Sequence, residues 1–282
     1  MSLRGINRYK MKVKTLSIAA LAATVVLSSC GENGGTDPDP VVNEFELPFQ
    51  EFDSNNVTIT IVDDEVQIET NGLPNHVSPY WSNTTERSDT DPMGNLLVTP
   101  AASSNHPLFV EPTATSHETM APGNIDDFVG SYSLTVPLEP TMASSTSATG
   151  LGAIGIAVSG SVIYNDQEGP NIPLDDAAPS LDFNGAHTGP QSYHYHLEPK
   201  SFSNDDSNLI GVIADGFLIY GRKCESTGGY PTDLDASGGH TSTTQHHTSQ
   251  AVYHYHCQNE LYLGSYYILF PGDYQGTPNA IQ

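Results

Sequence analysis

An internal duplication in the C-terminal half constrains this chain more than any other feature of its sequence. Three blocks occur twice in the same order: 155–164 and 211–220, 181–187 and 234–240, and 193–196 and 253–256. Each copy forms one repeat unit, the first over about residues 151–200 and the second over about residues 207–262. The duplication predicts a pseudo-two-fold arrangement in which equivalent blocks face each other across the domain.

The rest of the pattern predicts an all-β fold, a sandwich or barrel-like domain with long loops. Short runs that alternate or are rich in β-branched residues are separated by Gly, Pro, Asn, Asp and Ser, and helical periodicity is almost absent. These runs cover residues 57–62, 66–70, 131–136, 154–158 and 209–213. We expect a single domain over residues 46–282, in which the earlier strands pack against the later ones.

The N-terminal region has the features of an export signal rather than of a folded element. Lys12 and Lys14 precede an apolar run at 16–27 that is too short to cross a bilayer, and small residues then lead to Cys30. This pattern is similar to that of a bacterial lipoprotein whose Cys30 thiol is lipidated, with residues 1–30 as the signal and Met11 as the start. Residues 31–45 form a flexible tether, so we expect an extracytoplasmic protein that is membrane-anchored at the periplasmic face or cell surface.

The charge balance restricts the partners of the exported protein. The chain has 9 basic and 33 acidic residues, and five of the basic ones precede residue 15. A surface this acidic repels nucleic acid and anionic lipid, so we expect no nucleic-acid partner and contact with membrane through the lipid anchor alone. Phosphate-loop and common hydrolase motifs are absent from the sequence, which gives no support for nucleotide binding.

The Tyr-His-Tyr-His blocks carry the chemistry. In an extended strand, His194 and His196 point to the same side with their Cα atoms about 6.5–7 Å apart, and the tyrosines point to the other side. Two imidazoles at this spacing can bind one metal ion. A Gly-containing turn supplies a third histidine in each unit, preceded by an aspartate that could orient an imidazole or bind metal directly. The predicted metal ligands are His187, His194, His196, His240, His254 and His256, with Asp182 and Asp235 in the outer shell.

Two arrangements of these ligands remain open. Each unit could hold its own three-histidine centre, or both could share one mononuclear or dinuclear centre. Neutral imidazole suits copper, zinc, iron and nickel, and copper is favoured, with zinc next, because copper has the higher intrinsic affinity for nitrogen ligands. The centre could also serve a metal-dependent enzyme, for which Asp215 is the candidate acid or base. The alternative for Asp215 is a turn residue that bonds its own backbone.

A metal-free interpretation also exists. The histidines would then be buried and hydrogen-bonded, and the protein would be a structural or adhesive surface module that binds polysaccharide or a partner protein. His246 and His247 lie in a Thr- and Ser-rich loop, and we expect both to be exposed to solvent. Cys224 and Cys257 are expected to form a disulfide outside the cytosol, which would stabilise the fold by about 3–4 kcal/mol. The alternative is a thiolate metal ligand beside His256.

The paired Tyr-His-Tyr-His blocks, together with Ala214-Asp-Gly-Phe-Leu-Ile-Tyr-Gly221, resemble the YHYH domain family of secreted bacterial proteins. A further stretch, Asn71-Gly-Leu-Pro-Asn-His-Val-Ser-Pro-Tyr-Trp81, is similar to the N-terminal signature of that family. The resemblance extends from about residue 57 to about residue 275 and implies that His76 belongs to the same centre. Where family members have cysteines near the turns, this chain has Asn184 and Ser237, so the resemblance implies a different disulfide pattern, for which a Cys224–Cys257 pair would substitute.

Overall fold

Two β-sheets form the framework in the computed structural model, which describes residues 43–76, 78, 130–176, 181–182, 184–188, 192–264 and 266–282. The described chain from residue 43 onward belongs to one compact unit. The expected signal sequence, Cys30 and residues 31–42 of the expected tether lie outside the described residues. In the described part of the chain, no helix has the length and apolar character needed to cross a membrane.

The smaller sheet is formed by residues that precede the repeat units. A 3-10 helix at Leu47–Glu51 leads to strands β1 (Val57–Val62), β2 (Glu65–Thr70) and β3 (Tyr132–Pro137), which pair antiparallel in that order. In β2 the side chains of Val66 and Ile68 are buried while their neighbours are exposed. This alternation follows from the two-residue period of a strand and directs one apolar face toward the core.

The larger sheet has eight strands and contains the duplicated units. The first unit contributes β4 (Gly155–Ala157), β5 (Val162–Ile163), β8 (Ala186–Thr188) and β9 (Tyr193–Tyr195). The second contributes β10 (Leu209–Ile213), β11 (Leu218–Tyr220), β12 (Gly239–Ser242) and β13 (Val252–His256). Two small hairpins complete the described strands: β6 (Gln167–Gly169) with β7 (Ile172–Pro173), and β14 (Leu261–Tyr262) with β15 (Tyr266–Tyr267). A second 3-10 helix covers Leu174–Asp176.

The strand order reveals the pseudo-two-fold symmetry. Across the sheet the order is β12-β13-β11-β10-β4-β5-β9-β8, so each unit repeats the order of the other, read outward from the centre. At the centre β4 and β10 pair antiparallel, and Ile156 lies opposite its own counterpart Val212. The predicted two-fold relation therefore holds at the first block, whereas the histidine blocks lie at opposite ends of the sheet instead of facing each other.

The main core lies where the two sheets meet. Ile68 and Leu134 of the small sheet are in the same buried cluster as Ile156, Val212 and Tyr195 of the large one. Each such apolar side chain contributes about 1.5–3 kcal/mol when fully buried. The sheets curl into a half-barrel, and the prediction of an all-β fold is confirmed.

Candidate metal centres

Strands β9 and β13 divide their side chains between two faces, as the alternation predicts. Tyr193, Tyr195 and Tyr255 are buried in the main core. The intervening His194 and His254 project to the other face, where they are also buried. The period of two therefore explains both the tyrosine packing and the convergence of the histidines.

The first centre consists of His187, His194 and His196. His187 pairs with His194 across strands β8 and β9, and their Nε2 atoms are 2.9 Å apart. Nδ1 of His194 lies 3.2 Å from the carbonyl oxygen of Ser192, and Nδ1 of His196 lies 2.6 Å from that of Asn165. Because a carbonyl oxygen only accepts, both Nδ1 atoms carry the proton and both Nε2 atoms keep a free lone pair.

The second centre repeats this arrangement with His240, His254 and His256. His240 pairs with His254 across β12 and β13, and Nδ1 of His254 and of His256 donate to the carbonyls of Val252 and Gly221 at 3.0 and 2.7 Å. These two carbonyls occupy the positions equivalent to Ser192 and Asn165 in the first unit. The duplication therefore reproduces the orientation of the rings as well as their positions.

A fourth donor completes the second centre. The Cys224 sulfur lies 3.4 Å from Nε2 of His240, and Nε2 of His256 lies 3.3 Å from the same atom. In each of the two groups, the candidate donor atoms all lie within 4.8 Å of one another. Donors bound to one tetrahedral zinc-like ion are about 3.3 Å apart for two nitrogens and about 3.6 Å apart for nitrogen and sulfur, given the usual bond lengths. In the second centre, the separations of 3.3 Å between His240 and His256 and of 3.4 Å between Cys224 and His240 are close to those values. The 2.9 Å between His187 and His194 in the first centre is shorter.

Burial lowers the pKa of five of the six imidazoles. It lowers the pKa of His187 to about 3, with a smaller contribution from His196, and it lowers the pKa of His196 to about 4. In the second centre burial lowers the pKa of His254 to about 4 and that of His256 to about 3. A metal ligand must be deprotonated, so these side chains are ready to bind at neutral pH without losing a proton.

The Cys224 thiol is also adapted for binding. Burial by itself raises its pKa, but hydrogen bonds with Ser226, Ser242 and His240 outweigh this effect, so the pKa lies below the ordinary value. A lower pKa favours the thiolate, which is the form that binds metal.

The predicted Cys224–Cys257 disulfide is wrong, because both cysteines are free. Cys257 directly follows His256, so its side chain points to the opposite face, where its sulfur lies 3.4 Å from the carbonyl oxygen of Ile268 and belongs to the main core. Cys224 lies on the histidine face instead. The two thiols therefore lie on opposite faces of the sheet. The position of Cys224 fits the alternative of a thiolate ligand.

The predicted outer-shell aspartates need correction. Asp182 accepts hydrogen bonds from Tyr193 at 2.6 Å and from Ser78, and Asp235 accepts one from Tyr253 at 3.0 Å. Both also accept backbone N–H groups of their own turns. The chain reverses direction between each aspartate and the histidine five residues later. The aspartates therefore lie on the tyrosine side, where they stabilise the turns and the tyrosine hydroxyls.

Sequence analysis missed the carboxylate that orients the candidate ligand His240, which is that of Asp233. Asp233 lies 2.8 Å from Nδ1 of His240, a position two residues before the predicted Asp235. A carboxylate at Nδ1 fixes the tautomer of the ring and leaves Nε2 for the metal. The first unit has Ser180 at the equivalent place, outside the described residues, so the repeat itself carried no signal for this role.

Three other histidines lie elsewhere than predicted. His76, proposed for the same centre, lies on the tyrosine face with Nε2 2.6 Å from the Tyr195 hydroxyl and Nδ1 3.1 Å from the Asn184 amide. His246 and His247 were expected to be exposed, but they are only 7% and 2% exposed. His246 lies 2.6 Å from Glu51, because the segment before β1 packs on this loop.

Asp215 lies away from both histidine groups. Its buried carboxylate accepts a 2.6 Å hydrogen bond from Tyr255 and further bonds from the backbone N–H groups of Phe217, Gln275 and Gly276. Burial raises its pKa above the ordinary value. These contacts support the alternative of a structural turn residue over an acid or base at a metal centre.

The two centres differ in access. A cavity of about 330 Å³ opens onto the first centre and is lined by His194, His196, Tyr164, Glu168 and Leu151. In the second unit the connection between the third histidine and the Tyr-His-Tyr-His block has twelve residues, against five in the first. Within it, Thr244 and His246 bond to the hydroxyl of Tyr220, the counterpart of Tyr164. The longer connection therefore packs on Tyr220, whose ring lies 5.3 Å from that of His254 in the second centre.

Comparison with known proteins finds one family model that matches part of the chain. Residues 133–232 match the model of a family described as YHYH protein, which confirms the resemblance predicted from the motifs. The match includes the whole first unit and ends within the second. No curated protein and no solved structure matches the chain significantly.

Proposed function

We propose that this YHYH-family protein is an extracytoplasmic lipoprotein that binds two transition-metal ions, one in each repeat unit. The observation that carries the proposal is the orientation of the histidine rings. Four of the six rings direct Nδ1 to a backbone carbonyl and a fifth directs it to Asp233, and the Nε2 atoms of each unit converge. Imidazoles that serve only to bond the backbone have no reason to bring their second nitrogens together in a buried group.

The buried Nε2 of His196 supports the same conclusion. It has no hydrogen-bond partner among the described residues. An unsatisfied buried polar atom costs roughly 1–3 kcal/mol, which a bound ion would remove. Convergent neutral lone pairs, burial and an orphaned nitrogen together favour a metal site over a hydrogen-bonded structural cluster.

Separate ions are favoured over a shared centre. The histidine-bearing strands β9 and β13 are separated by four other strands of the sheet, and each unit has a complete set of three convergent histidines. A donor set of three nitrogens and one thiolate in tetrahedral spacing suits zinc in the second centre. Copper, favoured on affinity alone, remains the alternative for the first centre, where the donors are all nitrogen.

Elemental analysis by mass spectrometry tests the proposal on the mature protein, purified without a histidine tag. We expect two equivalents of transition metal in the wild type. His194→Gln/His196→Gln and His254→Gln/His256→Gln should each retain one equivalent, and the combination of all four substitutions should retain none. His246→Gln/His247→Gln is the matched control and should retain two. Unchanged metal content in the first two variants would refute the proposal.

A chelator provides a second test. Because an ion that binds only the folded state stabilises it by mass action, removal of metal should lower the melting temperature. The four-histidine variant should not respond to the chelator. A metal-free structural or adhesive module would instead melt at the same temperature with and without chelator.

A further inference from the structure

The duplication assigns a counterpart to the fourth donor of the second centre. Cys224 lies four residues beyond Tyr220, and Glu168 lies four residues beyond the equivalent Tyr164. The two units also correspond in space at this point of the chain. The residue after each tyrosine, Asn165 or Gly221, supplies the carbonyl that accepts the Nδ1–H of His196 or His256. Glu168 and Cys224 therefore leave their strands from equivalent points.

Both residues also approach the same member of their histidine group. The Cys224 sulfur is 3.4 Å from Nε2 of His240, and the Oε2 atom of Glu168 is 3.7 Å from Nε2 of His187, the counterpart of His240. The register of the β6–β7 hairpin shifts between Gln167 and Gly169, around Glu168. A bulge of this kind redirects a side chain, which here brings the carboxylate toward the first centre.

We propose that Glu168 is the fourth ligand of the first centre, the carboxylate counterpart of the Cys224 thiolate. The inference rests on the proposed function, because it presumes that the centres hold metal. It gives the two units different donor sets: three nitrogens and an oxygen in the first, three nitrogens and a sulfur in the second. Oxygen is the harder donor and sulfur the softer, so the two centres differ in metal preference.

The same geometry makes the Glu168 ligand exchangeable. Its side chain is 35% exposed and lines the cavity beside His194 and His196, and it is not one of the donor atoms that lie within 4.8 Å of one another. The carboxylate therefore has to close onto the ion from the cavity side, and water or a small anion entering the cavity competes for the same position. Cys224, by contrast, is a buried member of its group, and its sulfur lies 3.3 Å from the hydroxyl of Ser242 in the longer connection of the second unit.

Cobalt(II) loading tests the ligand assignment, since a thiolate–cobalt bond gives a near-ultraviolet charge-transfer band that a carboxylate does not. The wild type with two cobalt ions should show the band of a single thiolate. Cys224→Ser should lose it, Glu168→Cys should double it, and Glu168→Cys/Cys224→Ser should return it to the wild-type intensity. Glu65→Cys, at an exposed position of β2 in the small sheet, is the matched control and should add nothing. A Glu168→Cys protein that binds two cobalt ions without a stronger band would overturn the assignment.

Affinity provides a measurement that does not depend on the new cysteine. Glu168→Gln, made in the His254→Gln/His256→Gln background so that only the first centre remains, should weaken cobalt binding at least tenfold; unchanged affinity would overturn the proposal. Azide should shift the visible cobalt bands in this background and leave those of His194→Gln/His196→Gln unchanged. The reverse pattern would contradict exchange at the first centre. If no variant and no wild-type protein bound cobalt, the proposed function itself would fail, which is a distinguishable result.

Discussion

Tyr255 donates a 2.6 Å hydrogen bond to the buried Asp215, whereas its counterpart Tyr195 is bonded to Ser159 at 2.9 Å. Asp215 and Ser159 thus occupy equivalent positions of the repeat, and each bonds the tyrosine hydroxyl of its own unit, one through a carboxylate and the other through a hydroxyl. A carboxylate accepts several hydrogen bonds at once, and Asp215 uses this capacity to hold the backbone of Gln275 and Gly276 as well. Asp215 therefore holds the chain at Gln275 and Gly276 against the second unit through hydrogen bonds.

Asp215→Ala is therefore expected to destabilise the fold without changing metal content. Loss of the carboxylate leaves the Tyr255 hydroxyl and the N–H groups of Phe217 and Gly276 without this acceptor, whereas the Gln275 N–H keeps its 2.8 Å bond to the Tyr255 hydroxyl. The expected cost is about 3 kcal/mol or more in the free energy of unfolding. Chemical denaturation measures the loss, and elemental analysis measures the metal. Ser159→Ala, the equivalent change in the first unit, should cost less because Ser159 supports fewer groups. Loss of metal at constant stability would instead place Asp215 at a centre.

Asp233→Asn should weaken the second centre alone. The Asp233 carboxylate orients His240 through Nδ1, and loss of such a partner typically reduces metal affinity about 10–100-fold. Competition with a chelator of known affinity measures the change in the His194→Gln/His196→Gln background. Asp273→Asn removes another exposed acid and should have no effect. Equal effects of the two substitutions would show that the acidic surface, and not the contact with His240, governs affinity.

The two thiols should be distinguishable by reactivity. The intact mass of the purified protein should correspond to reduced Cys224 and Cys257. Alkylation of the folded metal-bound protein should modify neither, since the proposed function makes Cys224 a ligand and Cys257 lies in the core. Removal of metal should expose Cys224 to alkylation while Cys257 stays protected until the protein unfolds. A mass two hydrogens lower would establish the disulfide after all.

Without metal, stability should fall as the pH is lowered below about 6.5. The pKa of His196 and His254 is about 4 in the folded state, and the ordinary value is near 6.5, so over this interval the unfolded chain binds more protons than the folded one. Each such imidazole adds at most roughly 1.4 kcal/mol of lost stability per pH unit. Denaturation of the metal-free protein between pH 7.5 and pH 5 measures the slope.

A matched comparison isolates the contribution of the histidines to this slope. His194→Gln/His196→Gln should give a shallower pH dependence than the wild type. Burial raises the pKa of Asp182 to about 6, which acts in the opposite direction, because the folded state then binds the extra proton between about pH 4 and pH 6. This carboxyl is present in both proteins and cancels in the difference. Identical slopes would show that the imidazoles of the first centre do not titrate as described.

Sequence analysis determined the features that depend on neighbouring residues. The alternation of Tyr193, His194, Tyr195 and His196 sets two imidazoles on one face and two phenols on the other in any strand, because successive side chains of a strand point in opposite directions. The duplication likewise predicted two equivalent histidine groups, and the short alternating runs predicted an all-β fold. These conclusions needed only the local geometry of the backbone and the order of the blocks.

The tertiary structure decided everything that depends on which strands become neighbours. The pairing of Ile156 with Val212 at the centre of the sheet places the histidine groups at opposite ends, which favours separate centres over a shared one. The same packing places the Cys224 sulfur beside His240 and leaves Cys224 and Cys257 as free thiols. It also buries His246 against Glu51 of the first 3-10 helix. Such contacts join residues that are distant in the chain, so short-range periodicity has no means of encoding them. The pattern of a strand specifies its two faces, but only the assembled sheet determines what each face meets.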